Sequence, residues 1–187
     1  AMGTLLYSHG IDHCYEEMNT TDPDQIVAIH RAYAAAGADI LQSNTYGANY
    51  HKLKRYGLED EVSVINRKGV ELAKKAASKQ AFVFGTIGAL RSIRKNDLDI
   101  EEIKRSFREQ LYSLLMEGPD GLILETYYDL EELETVLQIA RKETGLPIIA
   151  NVSLHEIGYL QNGLHLNEAF SRLDALGADV VGLNCRL

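Results

Sequence analysis

The chain has 187 residues, 45% hydrophobic and 25% charged: enough for one sizeable core, too few for two ordinary domains, and too apolar for disorder. Its formal charge of -8 argues against nucleic acid or an anionic membrane as a partner, since both require basic patches. No apolar stretch reaches the length of a membrane span, the start lacks a signal pattern, and two cysteines, Cys14 and Cys185, make no disulfide framework, so the expected compartment is cytoplasmic.

The chain opens on Ala1-Met2-Gly3-Thr4 with no strand before it, and Met2-Gly3-Thr4 offers free backbone N–H groups suited to an anion. Cys14-Tyr15-Glu16-Glu17-Met18 reads as helix. Asp22-Pro23-Asp24 is a helix start, with acidic residues at the positive end of the dipole and a proline in the first turn. That helix should run to about Ala36 with Ile26, Ile29, Ala32 and Tyr33 as its apolar stripe, and Gly37 should stop it. Ile40-Leu41 then leads into Ser43-Asn44-Thr45. Glu59–Ala77 is the next helix, carrying Val62, Ile65, Val70, Leu72 and Ala73, and Ala81–Phe84 leads into Gly85-Thr86.

Asp99-Ile100-Glu101-Glu102 opens a third helix, with Ile103, Phe107, Leu111, Leu114 and Leu115 inward and Gly118 as its stop. Leu122–Leu124 leads into Glu125-Thr126. Asp129–Glu143 is a fourth helix, with Leu130, Leu133, Val136, Leu137 and Ala140 inward, ending at Gly145. Pro147–Ala150 leads into Asn151-Val152-Ser153, Asn167–Leu176 is a fifth helix ending at Gly177, and Val180–Leu183 leads into Asn184-Cys185.

Strands alternating with helices predict a parallel sheet whose polar tips all emerge on one face, where such folds keep their chemistry. A weak repeat supports this: Ala36-Gly37-Ala38-Asp39-Ile40 reappears as Leu176-Gly177-Ala178-Asp179-Val180, with Gly118-Pro119-Asp120-Gly121 as a cousin. In each, a glycine takes the left-handed turn that closes a helix and a strand follows at once. The loops after strands are longer, at Gly47–Leu58, Gly88–Leu98 and Glu156–His165. Short loops on one face and long ones on the other suit a (β/α)8 barrel of the TIM type better than a doubly wound open sheet. Eight units need about 250 residues, so residues 1–187 are expected to be a partial barrel, lacking its first strand and its final strand–helix units.

Among chemistry-bearing residues, Cys185 stands at a strand tip, as a buried space-filler or as a zinc-binding or nucleophilic thiolate. Cys14 reads as a half-buried small residue. His9 and His13 stand four apart but flank Gly10, and read as solvated loop residues; His155-Glu156 is equally explained by loop polarity. Glu125 ends an apolar strand, where a carboxylate needs a partner: a ligand cation such as an ammonium, or a salt bridge to Arg91 or another loop base. Ser43, Asn44, Thr45, Thr86, Asn151 and Ser153 can orient a polar ligand or cap neighbouring turns. Gly85-Thr86-Ile87-Gly88 is too short for a phosphate loop and lacks its lysine.

Together these residues resemble the homocysteine-binding methyltransferase family, which includes the homocysteine domain of cobalamin-dependent methionine synthase and betaine–homocysteine methyltransferase. The matching segments are AMGT at 1–4, DPDQIVAIHRAYAAAGADILQSNTYGA at 22–48, YGLEDEVSVIN at 56–66, GTIGAL at 85–90, DGLILETYYDLEEL at 120–133, PIIANVS at 147–153 and GADVVGLNC at 177–185. The likeness is strongest to the bacterial form fused to a methylenetetrahydrofolate reductase, implying a fused C-terminal reductase domain in the parent. The resemblance implies a zinc-containing barrel that transfers a methyl group to the thiol of homocysteine, giving methionine. It implies that Cys185 is a zinc ligand, with no catalytic residue beyond it. Glu125 would receive the amino acid's ammonium, backbone at Ala1, Met2 and Gly3 its carboxylate, and Ser43, Asn44 and Thr45 would line the substrate. The family's paired zinc cysteines and the aspartate before AMGT are not in this sequence, so the zinc site is expected to be incomplete here. The methyl donor, a methylated folate, betaine, S-methylmethionine or S-adenosylmethionine, is not readable. Two alternatives are a non-catalytic homocysteine-binding or assembly module without zinc, and an unrelated aldolase or lyase barrel, the latter weakened by the lack of a strand-tip lysine.

Overall fold

A computed structural model describes residues 2–78, 81–91 and 98–185. Five strands alternate with helices: β1 (Ile40–Gln42), β2 (Phe82–Gly88), β3 (Gly121–Tyr127), β4 (Ile148–Val152) and β5 (Val180–Leu183). All neighbours pair in parallel, in the spatial order β1-β2-β3-β4-β5. Consecutive strands side by side, with no reversal of order, are the winding of a barrel and not of a doubly wound sheet. The described residues leave that barrel open, with β1 and β5 as its edges.

Short helices α1 (Met2–Ser8) and α2 (Met18–Thr21) come first, then α3 (Pro23–Ala35), α4 (Tyr50–Leu53), α5 (Val62–Ala77), α6 (Ile100–Leu115), α7 (Leu130–Glu143) and α8 (Leu166–Ala175). Their starts follow from local chemistry. Asp22 and Asp129 accept the backbone N–H groups of Gln25 and Glu132, and Asp99 and Glu102 form a reciprocal capping box at the head of α6. Gly37, Gly118 and Gly177 close helices at φ of 92°, 59° and 95°, a region that a side chain disfavours. None of the described helices is long and apolar enough to cross a membrane.

Two of the three repeated turns share a further device. Asp120 accepts the N–H of Val83 at 2.7 Å, and Asp179 accepts that of Ile148 at 2.8 Å. Each carboxylate thus reaches back to the start of the preceding strand and pins its register. The core lies between the sheet and α5, α6 and α7, whose inward residues include Val70, Leu111, Leu114, Leu133 and Leu137. Gly121 is packed against the Phe84 ring so tightly that a Cβ there would stand 2.5 Å from it. Gly121→Ala is therefore expected to destabilise the fold by about 1–3 kcal/mol, the usual cost of overpacking. An unchanged urea midpoint would show that the ring can give way.

Four expectations need correction. Val27 and His30, with Ile26 and Ile29, form the buried face of α3, while Ala32 and Tyr33 are exposed; a polar His30 had hidden the true stripe. Residues 14–17 are irregular and turn backbone, with helix beginning only at Met18. β2 runs on to Gly88 and β3 to Tyr127, so Gly85-Thr86 and Glu125-Thr126 lie within strands, because ladder bonding continues after the apolar run ends. α7 stops at an extended Thr144 and not through a left-handed Gly145.

Candidate functional site

The carboxyl ends of β3 and β5 meet through a compact polar network. Asn184, just after β5, donates from Nδ2 to Glu125 Oε2 at 3.1 Å and to Thr126 Oγ1 at 3.0 Å. The Thr126 N–H returns a bond to Asn184 Oδ1 at 3.0 Å, and the Thr126 hydroxyl donates to Cys185 Sγ at 3.3 Å. The ladder between β3 and β4 shifts register between Leu124 and Tyr127. Bulges of this kind re-aim side chains, and here Thr126 takes φ 62° and Cys185 takes φ 66°.

Glu125 is partly buried, and removal from water pushes its carboxyl above the ordinary value; hydrogen bonds from Gln42 and Asn184 and the charge of Lys52 oppose that rise. Arg91, the base considered for it from sequence, pairs with Asp129 at 3.0 Å and Glu131 at 2.8 Å. The carboxylate thus meets the amides of Gln42 and Asn184 and not an arginine. Cys185 is exposed, in contrast to Cys14, which is buried and whose thiol is pushed up to about 11, by burial first and then by Glu16.

Ser43, Asn44 and Thr45 are buried just after β1. Ser43 Oγ accepts the Thr86 N–H at 3.0 Å, Thr45 Oγ1 donates to the Thr86 carbonyl at 2.7 Å, and Asn44 donates to the Tyr15 carbonyl at 2.7 Å. These groups therefore shape the end of β1 through protein contacts. Thr86 Oγ1 and Ser153 Oγ are buried and have no hydrogen-bond partner among the described residues. Asn151 lies over Gly182, where a Cβ would come within 2.6 Å of its Oδ1. Met2 and Gly3 stand at the head of α1 and not in an open loop, with Gly3 against the Tyr15 ring; Ala1 lies outside the described residues, as do residues 92–97 of the loop expected after β2. His9, His13, His155 and Glu156 are exposed.

Two residues at the site went unread in the sequence. The Tyr46 ring covers Gly88, where a Cβ would stand 2.3 Å from it, and Lys52 Nζ sits 4.1 Å from the centre of that ring. Burial, then Glu125, raises the Tyr46 hydroxyl above its ordinary value, while burial lowers the Lys52 ammonium against the pull of Glu16, Glu132 and Glu125. Only the third residue after Ser43 and a lysine in a charged loop mark them, and neither signal is specific.

A consecutively wound parallel sheet with a carboxylate, an amide, a hydroxyl and a thiol gathered at its carboxyl end defines an α/β protein of barrel type with a strand-end site. The sequence pattern of the homocysteine S-methyltransferase family matches residues 1–187, and the chain belongs to that family. It is 28% identical over 205 aligned residues to a methionine synthase of Mycobacterium tuberculosis, covering 99% of this chain and 17% of that protein. It is 31% identical over 166 aligned residues to betaine–homocysteine S-methyltransferase 1 of Danio rerio, covering 87% of this chain and 41% of that one. The chain thus spans well under half the length of these relatives. The structure of the metallated homocysteine methyltransferase MmuM from Escherichia coli superimposes with a TM-score of 0.88 at 22% identity, over 99% of this chain and 72% of that one. That likeness establishes the fold, of which these residues form an unclosed part.

Proposed function

We propose that these residues form the homocysteine-binding part of an enzyme that transfers a methyl group to the homocysteine thiol, giving methionine. The observation that carries this reading is Glu125: a partly buried carboxylate at the strand ends, held by an amide and lacking an arginine or lysine ion pair among the described residues. An ammonium ligand supplies the missing charge. Cys185, far from Glu125 in sequence but joined to the same network through the Thr126 hydroxyl, is exposed. Ser43, Asn44 and Thr45 act as lining through the shape they give the end of β1, and backbone at residues 1–3 receives the substrate carboxylate.

Zinc fits this site in donor type but not in donor number. Cys185 is the soft ligand zinc prefers, yet no group of three His, Cys, Asp or Glu among the described residues can hold a metal, and a catalytic zinc takes about three protein ligands. Zinc is therefore proposed as bound by Cys185 together with donors outside the described residues; when bound, it favours the substrate thiolate at neutral pH. Cys185→Ser in the intact protein is expected to reduce zinc from about one per chain to none, with the fold retained. Retained zinc by elemental analysis would reject the ligand role.

The test of the activity is methionine formation from homocysteine with a methylated folate, betaine, S-methylmethionine and S-adenosylmethionine in turn. Methionine with any one donor supports the proposal. Homocysteine binding without product from any of them favours the second reading, a zinc-free homocysteine-binding or assembly module.

A further inference from the structure

Thr126 is buried and β-branched, yet its backbone takes φ 62°. For such a residue that conformation is an outlier, kept only where surrounding contacts over-determine it. Those contacts are unusually directed. The Thr126 N–H donates to Asn184 Oδ1, so the amide of Asn184 cannot flip without losing that bond. Asn184 Nδ2 then spends one proton on Glu125 and the other on Thr126 Oγ1. While its oxygen accepts from Asn184, the Thr126 hydroxyl, which also meets Tyr46, donates to Cys185 Sγ at 3.3 Å. The orientation of the amide fixes the direction of the three bonds that Asn184 makes.

In regular extended backbone Thr126 would take the sheet face opposite to Glu125, because successive side chains of a strand alternate between faces. The register shift and the left-handed residue together are what bring one side chain into reach of both Asn184 and Cys185.

We infer that Thr126 is a positioning residue, which fixes the carboxylate of Glu125 and the sulfur of Cys185 at a set spacing so that the two ends of homocysteine are recognised together. This rests on the reading that Glu125 meets the ammonium and that Cys185, as a zinc ligand, marks the end where the thiol is received. Thr126 touches neither end of the substrate. It acts by linking Glu125 to Cys185 through Asn184.

The experiment compares binding of homocysteine and of 2-aminobutyrate, which lacks the thiol, by calorimetry on the intact protein and its variants. Thr126→Val keeps the shape and removes the hydroxyl. It is expected to weaken homocysteine binding about tenfold or more, the usual worth of a hydrogen bond to a charged group, and to leave 2-aminobutyrate within about twofold. Thr126→Ser restores the hydroxyl and should return homocysteine affinity to within about threefold of wild type. Thr126→Gly removes the hydroxyl while accepting the left-handed backbone freely, so it tests the same loss if the valine variant does not fold. Homocysteine affinity unchanged in both the valine and glycine variants overturns the inference. Equal weakening for both ligands, unrescued by serine, also overturns it, because that is the signature of a merely structural residue. A wild type that binds no homocysteine overturns the functional reading, and this inference with it.

Discussion

Glu125→Gln is expected to weaken homocysteine binding about ten- to a hundredfold, the range for losing a hydrogen bond between charged groups. Glutamine keeps the size of the side chain, and its carbonyl oxygen can still accept the Asn184 amide that now bonds Oε2 at 3.1 Å. Only the negative charge is lost, so the thermal midpoint should stay close to wild type. The same argument gives a pH dependence. Burial holds the Glu125 carboxyl above its ordinary value, and a protonated carboxyl offers an ammonium no counter-charge. Homocysteine affinity should therefore fall on acidification more steeply in the wild type than in the variant. Calorimetric titrations of both proteins across a pH series measure this. Unchanged affinity in Glu125→Gln would sink the ammonium role.

A second expectation concerns stability, where two buried groups far apart in the fold oppose one another. Glu132 is buried in the first turn of α7 and accepts the N–H groups of Leu90 and Arg91 at 2.7 and 3.1 Å. Loss of solvent outweighs these bonds and pushes its carboxyl from 4.5 up to about 7, with Asp129 adding to the rise. The folded state then holds a proton that the unfolded state has released. The contribution of Glu132 is full below pH 4.5 and is lost as pH rises to about 7.

His30 does the reverse. It is buried in α3 with Nε2 unpartnered, and burial lowers it from 6.5 to about 4. Its contribution is full above pH 6.5 and is lost as pH falls to about 4. Each gap corresponds to about 3 kcal/mol, so between pH 4.5 and 6.5 the two slopes nearly cancel. Glu132→Gln should uncover a loss of stability toward acid, and His30→Leu a loss toward neutral pH, each by about 3 kcal/mol relative to the wild-type profile. Urea midpoints against pH for the three proteins decide it; variant profiles parallel to the wild type would refute the compensation.

What could be read in the sequence was what short-range chemistry fixes. The Asp99–Glu102 box, the Asp129 cap and the glycines at 37, 118 and 177 each act within a few residues, and each element they bound is present. Strand order followed from alternation. Strand ends did not, because hydrogen bonding between Glu125 and Gly88 outlasts the apolar pattern. At the site, Glu125 and Cys185 stood out as polar groups ending apolar runs. Their connection did not, since the Asn184 and Thr126 bonds span 58 and 59 residues and depend on a left-handed threonine that no propensity favours. Lys52 and Tyr46 meet only in space.

The aspartates that follow the helix-closing glycines have an evolutionary consequence. Because Asp120 and Asp179 each clip the start of the neighbouring strand, alignment is written into the floor of the molecule, one unit at a time. A one-residue slip would turn every side chain of a strand to the wrong face, and the clips oppose it without help from the opposite end. Loops at that end can lengthen, shorten or change chemistry while the strands beneath keep their places. Asp39 occupies the same place in its unit and accepts no hydrogen bond from its side chain among the described residues. The turn before β1 therefore lacks the clip that the turns before β3 and β5 carry.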